Sequence, residues 1–223
     1  MSAARRPRRR RGLLVALEGI DGAGKSTLLA ALAPALRRRG YAVRRRHEPV
    51  DRTIGRLAQE SGARDAWTGA VYFTVDRHLA APRLLRDLRR YDVVLSDRSF
   101  YSTLAYQGSA LPPPERRRLA ELQRRATIVP DRVILLDLPP AWLARRLRRR
   151  SATRGPLERA RALGRVAAAY RELARRHRWT VLDARCPAGE LVLAALSALR
   201  LDGPGGRRRR KTLRTRGGPG RPA

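Results

Sequence analysis

A glycine-rich segment near the start of the chain has the composition of a nucleotide-phosphate loop. It fits the pattern GxxxxGK[ST], and it lies between an apolar run and a segment with helical apolar period. The glycines let successive backbone N–H groups turn inward around phosphate oxygens, which then sit at the N-terminus of the following helix. The predicted phosphate-binding residues are Gly19, Ile20, Asp21, Gly22, Ala23, Gly24, Lys25, Ser26 and Thr27.

Three side chains of this loop predict distinct chemistry. Lys25 is expected to reach the β- and γ-phosphates, and the Ser26 hydroxyl is expected to bind Mg²⁺ with Thr27 in support. The chain has 51 Lys and Arg residues but only two lysines, Lys25 and Lys211, so a lysine in the loop indicates a need for a compact point charge. Asp21 is either a turn-forming residue or a carboxylate that faces something other than these phosphates, such as an acceptor hydroxyl.

A second polar pair follows the predicted strand at 92–95. Asp97 can hold Mg²⁺ through water, and Arg98 can bind a phosphate through two hydrogen bonds. An ion pair between these two side chains is an equally good interpretation. The predicted metal ligands are therefore Ser26 and Asp97.

Short apolar runs alternate with longer segments of helical period, which is the pattern of an α/β fold. We predict five strands, at 13–17, 41–46, 92–95, 132–136 and 179–182. We predict helices at 24–39, 54–60, 66–90, 102–107, 114–125, 141–149, 157–177 and 188–199, with a kink or break at Pro82. These elements imply a parallel sheet with helices on both faces, whose ligands bind beyond the carboxyl ends of the strands.

The composition is dominated by arginine. The net charge of +32 would ordinarily indicate a polyanion ligand, but a general bias toward arginine on a solvated surface explains most of it. Six cations lie in residues 1–12 and eight in residues 203–223, and neither segment contains an acid. We predict that both tails are disordered and that residues 13–202 form one domain. Weak, non-specific binding of polyanions by the tails is one possible function for them.

The sequence predicts a soluble, cytoplasmic protein. No apolar run approaches the roughly 20 residues of a membrane span, and the basic start lacks the apolar segment of a signal peptide. The single cysteine, Cys186, excludes an intrachain disulfide and fits a reducing compartment.

Four segments of the chain resemble the thymidylate kinase family. They lie at 18–27, 73–77, 96–108 and 130–137, and the resemblance extends from residue 13 to about residue 183. The Asp in the phosphate loop and the Ala-Tyr-Gln-Gly at 105–108 distinguish this family from adenylate-type kinases. The resemblance implies a P-loop kinase fold that transfers the γ-phosphoryl group of MgATP to dTMP, giving dTDP and ADP. It also implies a homodimer.

The resemblance further implies an acceptor site. Its residues would be Asp21 for the 3′-hydroxyl, Phe73, Ser102, Thr103 and Gln107 for thymine, Tyr106 for the sugar, and Arg77 and Arg98 for the phosphate. For Arg52 two alternatives stay open: it contacts the acceptor phosphate, or it has no role in the site. Glu48-Pro49 matches the acceptor loop of the family, although the usual glycine pair after it is missing.

A mobile, arginine-bearing lid is expected at about 148–156. Such a lid excludes water and supplies positive charge to the transferring phosphoryl group. Arg154 is the predicted lid arginine, with Arg149 and Arg150 as alternatives, and Thr153 stands where the family usually has Asp. The predicted catalytic residues are Lys25, Asp97, Arg98 and Arg154.

Three other functions are open at this point. A kinase of the same fold could phosphorylate another acceptor, such as dUMP, dCMP or a nucleoside. The charge of the chain also fits a P-loop ATPase or a nucleic-acid-binding protein. The altered lid and acceptor loop fit an inactive paralogue.

Overall fold

A sheet of five parallel strands forms the centre of the molecule. The computed structural model describes residues 12–139, 142 and 156–201, with 156–162 described by backbone alone. The strands are β1 (Leu13–Glu18), β2 (Val43–His47), β3 (Val93–Asp97), β4 (Arg132–Asp137) and β5 (Thr180–Asp183). Their order across the sheet is β2-β3-β1-β4-β5. The predicted five-stranded parallel α/β sheet is confirmed.

Helices cover both faces of this sheet. They are α1 (Lys25–Arg38), α2 (Arg52–Gly62), α3 (Ala66–Arg90), α4 (Phe100–Tyr106), α5 (Pro113–Ala126), α6 (Pro156–His177) and α7 (Ala188–Leu199), with a 3₁₀ turn at Gly108–Ala110. Alternate residues of β1 face opposite sides, as strand geometry requires. Val15 and Leu17 join the core beneath α1, α6 and α7, whereas Leu14 packs with Leu84 and Leu88 of α3.

The sequence pattern places β1 and β4 within one residue at each end, whereas β3 begins one residue and ends two residues later than predicted. All but the first residue of β1 and all but the last of β3 are buried, which explains their nearly continuous apolar sequences. The edge strand β2 is predicted less well than β1 and β4, and its sequence Val-Arg-Arg-Arg-His has only one buried residue. It begins two residues later than predicted and ends one residue later.

Two predictions about helices need correction. Of the kink or break predicted at Pro82, the break is wrong, because α3 runs through it for 25 residues, and the kink stays a prediction. One missing hydrogen bond is a small loss in a helix of that length, which also packs along α2. Helix α2 is longer than predicted because the Asp51 side chain accepts hydrogen bonds from Thr53 N and Ile54 N and so starts the helix earlier.

Several predictions lie outside the described residues. These are residues 1–11 and 203–223 of the tails, residues 148–155 of the lid, and the helix predicted at 141–149 apart from residue 142. None of the described helices combines the length and apolar character that crossing a bilayer requires. The carboxyl ends of β1 and β3 meet at one edge of the sheet, where Leu17 is paired with Asp97. The predicted site residues described below lie around that edge.

Candidate active site

The phosphate loop joins β1 to α1 in a shape that depends on glycine. Gly19, Gly22 and Gly24 all have positive φ, at 140°, 82° and 100°. A Cβ on Gly19 would also lie 2.6 Å from the backbone oxygen of Leu136, so any side chain there would force the strand ends apart. The loop can thus turn its N–H groups inward at the start of α1.

Lys25 is the first residue of α1, and its side chain folds back into the loop. It is 6% exposed, and its Nζ donates hydrogen bonds to the carbonyl oxygens of Gly19 at 3.0 Å and Ile20 at 3.1 Å. Burial, together with the neighbouring Arg98, lowers the pKa of the Lys25 ammonium to about 8. A positive charge is therefore held where the phosphates of a nucleotide would lie.

Ser26 and Asp97 meet at the mouth of this loop. The Ser26 hydroxyl donates a hydrogen bond of 2.6 Å to Asp97 Oδ2, which brings a hydroxyl and a carboxylate together from α1 and β3. Hard oxygen ligands of this kind suit Mg²⁺. Since the described residues contain no cluster of three acidic, His or Cys side chains, a bound Mg²⁺ would take its remaining ligands from phosphates and water.

These elements border an open cleft of about 480 Å³. Its lining residues are Asp21, Gly22, Gly24, Lys25, Ser26, Thr27, His47, Glu48, Asp97 and Arg98. The cleft brings the phosphate loop, the predicted metal ligands, Asp21 and Arg98 together. The cleft therefore contains residues predicted to bind ATP and Mg²⁺ together with two residues predicted to bind the acceptor, Asp21 and Arg98.

Arg98 occupies an unusual backbone conformation at the end of β3. Its φ is 75°, a value that costs about 1–3 kcal/mol in a residue other than glycine. Two hydrogen bonds hold this conformation: Arg98 N donates to Leu17 O at 3.0 Å, and Ser96 Oγ donates to Arg98 O at 2.7 Å. Strained backbone that neighbouring groups hold in place is a common feature of functional sites.

The Arg98 guanidinium is held between the phosphate loop and α4. Its Nη2 forms a 2.5 Å ion pair with Asp21 Oδ1, and its Cζ lies 5.1 Å from the centre of the Tyr106 ring. The Tyr106 hydroxyl accepts a hydrogen bond of 3.1 Å from Asp21 N, and burial raises the pKa of this tyrosine to about 12. Asp21, Arg98 and Tyr106 therefore form one connected group.

Arg77 lies elsewhere, although it was predicted to bind the same phosphate as Arg98. It is 8% exposed and is absent from the lining of the cleft. Its Nε donates to Glu48 at 2.7 Å, Nη1 donates to Thr103 at 2.9 Å and Gln123 at 3.2 Å, and Nη2 donates to Ser99 O at 3.1 Å. Four of its five N–H groups are thus committed within the protein.

Ser102 and Thr103 were predicted to bind the base, but their hydroxyls contact the two arginines. Ser102 Oγ accepts a hydrogen bond of 3.0 Å from Arg98 Nη1, and Thr103 Oγ1 accepts the one from Arg77. The two residues are only 7% and 1% exposed. In this arrangement they position guanidinium groups rather than face the cleft.

The remaining predicted acceptor residues lie near α2 and α3. The Phe73 ring is partly buried, with Arg77 Cζ 5.9 Å from its centre. Gln107 follows α4, and its Nε2 would lie 3.7 Å from a Cβ added to Gly62. Arg52 is exposed at the first position of α2. Arg154 and its alternatives Arg149 and Arg150 lie outside the described residues.

Sequence reasoning missed four residues that support the acceptor side. Tyr170 accepts a hydrogen bond from Arg98, Glu18 accepts one from Ser102, and Gln123 accepts one from Arg77. Both oxygens of Asp76 accept hydrogen bonds from the backbone after Pro49, at Val50 N and Asp51 N. An acid at the end of an apolar strand could have pointed to Glu18. The other three lie within helical patterns that give no comparable indication.

Comparisons with known proteins agree with the sequence resemblance. A family model described as thymidylate kinase matches residues 17–194. A probable thymidylate kinase of Metallosphaera sedula is 33% identical over 183 residues, which cover 82% of this chain and 90% of the relative. A thymidylate kinase of Xanthomonas oryzae pv. oryzae is 36% identical over 211 residues, covering 87% of this chain and 88% of the relative.

Proposed function

This chain belongs to the thymidylate kinase family, and we propose that it transfers the γ-phosphoryl group of ATP to dTMP at the cleft described above. The products are dTDP and ADP. Membership of this family makes the chain a phosphotransferase and confirms the resemblance drawn from its four sequence segments. The family match gives no support to the alternative of an ATPase or nucleic-acid-binding protein.

The observation that best supports this proposal is the ion pair between Asp21 and Arg98. A carboxylate inside a phosphate loop would repel ATP, but the Arg98 guanidinium, at 2.5 Å, pairs with this one in the part of the cleft that the two side chains line together. A second substrate with a phosphate and a hydroxyl fits that position, because Arg98 can bind the phosphate and Asp21 can accept from the hydroxyl. We therefore place the acceptor at this end of the cleft.

On the donor side, the loop N–H groups and Lys25 bind the ATP phosphates. Ser26 and Asp97 would hold Mg²⁺, which neutralises charge on the phosphates when it is bound. Lys25 stabilises negative charge that develops on the transferring group, while Arg98 aligns the acceptor phosphate for an in-line approach. Arg154, with Arg149 and Arg150 as alternatives, stays our prediction for the lid arginine.

The base pocket in this proposal is formed by Phe73 and Gln107. An aromatic ring can stack on a pyrimidine, and an amide can satisfy one of its hydrogen-bonding edges. The acceptor phosphate is assigned to Arg98 rather than shared with Arg77, since Arg98 lines the cleft and Arg77 does not. Arg77 then supports the pocket from behind Phe73.

We also propose that the enzyme acts as a homodimer. Three apolar side chains spaced four residues apart on α3 are exposed, at 46% for Val71, 42% for Val75 and 65% for Leu79. A second copy of the chain would cover this stripe. Light scattering should give the mass of a dimer for the purified protein, and Leu79→Glu should lower it to that of a monomer; a monomeric parent would refute this part of the proposal.

A coupled assay tests the reaction directly. With saturating MgATP, kcat/KM should be highest for dTMP among dTMP, dUMP, dCMP and dGMP. Lys25→Ala is the inactive control, because it removes the charge from the loop while leaving the acceptor side intact. A preference for a purine monophosphate would overturn the acceptor assignment and leave only the ATP half of the proposal.

A further inference from the structure

A buried carboxylate lies directly behind the proposed phosphate ligand Arg98. Glu18 is the last residue of β1 and has no exposed surface. Three hydroxyl groups donate hydrogen bonds to it: Ser99 Oγ at 2.6 Å, Ser102 Oγ at 2.7 Å and Tyr170 OH at 2.9 Å. The serines come from the start of α4 and the tyrosine comes from α6, so this one carboxylate joins three elements.

The direction of these hydrogen bonds determines what the hydroxyls can offer to Arg98. A hydroxyl group has one proton to donate and two lone pairs to accept with. Ser102 Oγ and Tyr170 OH lie 2.9 Å apart, and when both direct their protons at Glu18 their lone pairs are left for Arg98 Nη1, which donates to them at 3.0 Å and 3.3 Å. Arg98 has only donors, so it needs acceptors there.

We propose that Glu18 is a positioning residue for the acceptor phosphate: it orients Arg98 through the hydroxyls of Ser102 and Tyr170 without touching the substrate. This inference rests on the proposed function, because it gives Arg98 a phosphate to bind. Asp21 holds Nη2 at the cleft, and the two hydroxyls hold Nη1 behind it. Loss of the rear contacts would leave the guanidinium anchored at one end.

Burying the Glu18 carboxylate costs free energy, which indicates that its charge is useful at this position. Burial raises the pKa of its carboxyl group, against hydrogen bonds from Ser99, Ser102 and Tyr170 and the charge of Arg98, which lower it. Glutamine has the same shape but presents an NH₂ group on one side. Where this NH₂ faces Ser102 and Tyr170, which both donate to Oε2, it occupies a lone pair that Arg98 needs; where it faces Ser99, which donates to Oε1, it leaves those two hydroxyls an uncharged and weaker acceptor.

The test is a double-mutant cycle on the full-length protein. Glu18→Gln should lower kcat/KM for dTMP by about 10- to 100-fold, while KM for ATP changes less than about threefold. In the Arg98→Ala background, the same change should lower kcat/KM by less than about threefold, since there is no guanidinium left to orient. Equal losses in the two backgrounds would show a general structural role and overturn the proposal.

Two serines provide a matched control. Ser99 and Ser102 both donate to Glu18 at nearly the same distance, but only Ser102 also accepts from Arg98. Ser102→Ala should therefore lower kcat/KM for dTMP by about tenfold, while Ser99→Ala stays within about threefold of the parent. A larger loss for Ser99→Ala than for Ser102→Ala would contradict the relay.

Urea unfolding keeps the proposal testable even without turnover. In the parent, Glu18→Gln should lower the midpoint, because the hydroxyl network is disturbed. In the Arg98→Ala protein it should raise the midpoint, because it removes a buried carboxylate that has lost its positive partner. A midpoint change of the same sign in both backgrounds would refute the coupling between Glu18 and Arg98. If the sign differs between the backgrounds but the parent turns over no dTMP, only the proposed reaction is refuted. If Glu18→Gln does not fold, Tyr170→Phe, which removes one relay hydroxyl, takes its place in the same cycle.

Discussion

Replacing Lys25 by alanine should abolish phosphoryl transfer without destabilising the protein. The Lys25 ammonium is 6% exposed, and burial, together with the nearby Arg98, lowers its pKa from the ordinary 10.5 to about 8. At about 1.4 kcal/mol for each pH unit, keeping this group charged in the folded state costs about 3 kcal/mol. The Gly19 and Ile20 carbonyls lose a donor, but the shortened side chain opens their position to water from the cleft.

We therefore expect Lys25→Ala to raise the free energy of unfolding by up to about 3 kcal/mol. The loss of the charge that stabilises the transferring group should lower kcat by about 10²–10³-fold or more. Lys25→Arg should also lose most activity, because a planar guanidinium does not fit between two carbonyls that hold one ammonium. A variant that is less active and more stable is expected when a buried charge serves catalysis.

The pH dependence of the unfolding free energy provides a second measurement of the cost of burying the charged Lys25 ammonium. Below pH 8 the ammonium is protonated in both folded and unfolded chains, so the destabilisation is fully present. Between pH 8 and 10.5 the unfolded chain binds more protons than the folded one, and the unfolding free energy of the parent should rise relative to Lys25→Ala. Above that range the difference should become constant.

Urea unfolding across this pH range, without nucleotide and with a chelator present, measures the difference. Lys211→Ala at the other lysine of the chain is the matched control and should change neither stability nor kcat. The reasoning is refuted if Lys25→Ala lowers the unfolding free energy at pH 7, or if its difference from the parent does not change between pH 8 and 10.5. Near-full kcat for Lys25→Arg would refute the phosphate-loop assignment.

Three further predictions concern packing, base choice and the tails. Gly69→Ala should lower the unfolding free energy by about 1–3 kcal/mol, because its Cβ would lie 2.6 Å from the Gly62 Cα in the opposite helix. The control Gly62→Ala, whose nearest contact is 3.4 Å, should stay within about 1 kcal/mol of the parent in the same urea titration. Gln107→Leu should reduce the preference for dTMP over dCMP in kcat/KM by about 1–3 kcal/mol, and an unchanged ratio would remove this residue from the base pocket. Deleting 2–12 and 203–223 should leave kcat/KM within a few-fold and weaken salt-dependent polyanion binding, so a large loss of activity would place the tails in the catalytic body.

The fold was predictable wherever local chemistry and burial agree. The bounds of α3 and α7 match the prediction at both ends, because each has a clear apolar period that stops at a break in pattern. Strands β2 and β3 are placed less well: three consecutive arginines hide the alternation of β2, and the polar Ser96 and Asp97 end the apolar run of β3 before the strand ends. The early start of α2 follows from the Asp51 cap, which the apolar period alone does not indicate.

Residue types in the site were predictable, but their partners were not. Arg77 and Arg98 both stand where a phosphate contact is reasonable, and no pattern in the sequence separates them. Only the fold shows that Arg98 borders the cleft while Arg77 donates to Glu48, Thr103 and Gln123. Hydrogen bonds between residues far apart in sequence depend on how the helices pack, which periodicity does not encode.

In a chain this rich in arginine, the acids locate the site better than the cations do. With 51 basic residues against 19 acidic ones, a guanidinium is ordinary surface, whereas a buried carboxylate needs a compensating partner. Glu18 and Asp76 are 0% and 2% exposed, and the Glu48 side chain is 9% exposed. Each supports the acceptor side: Glu18 stands behind Arg98, Glu48 accepts from Arg77, and Asp76 holds the loop after Pro49. In this chain, the buried acids are the partners of the residues to which we assign the acceptor, and they identify that part of the site more selectively than the arginines do.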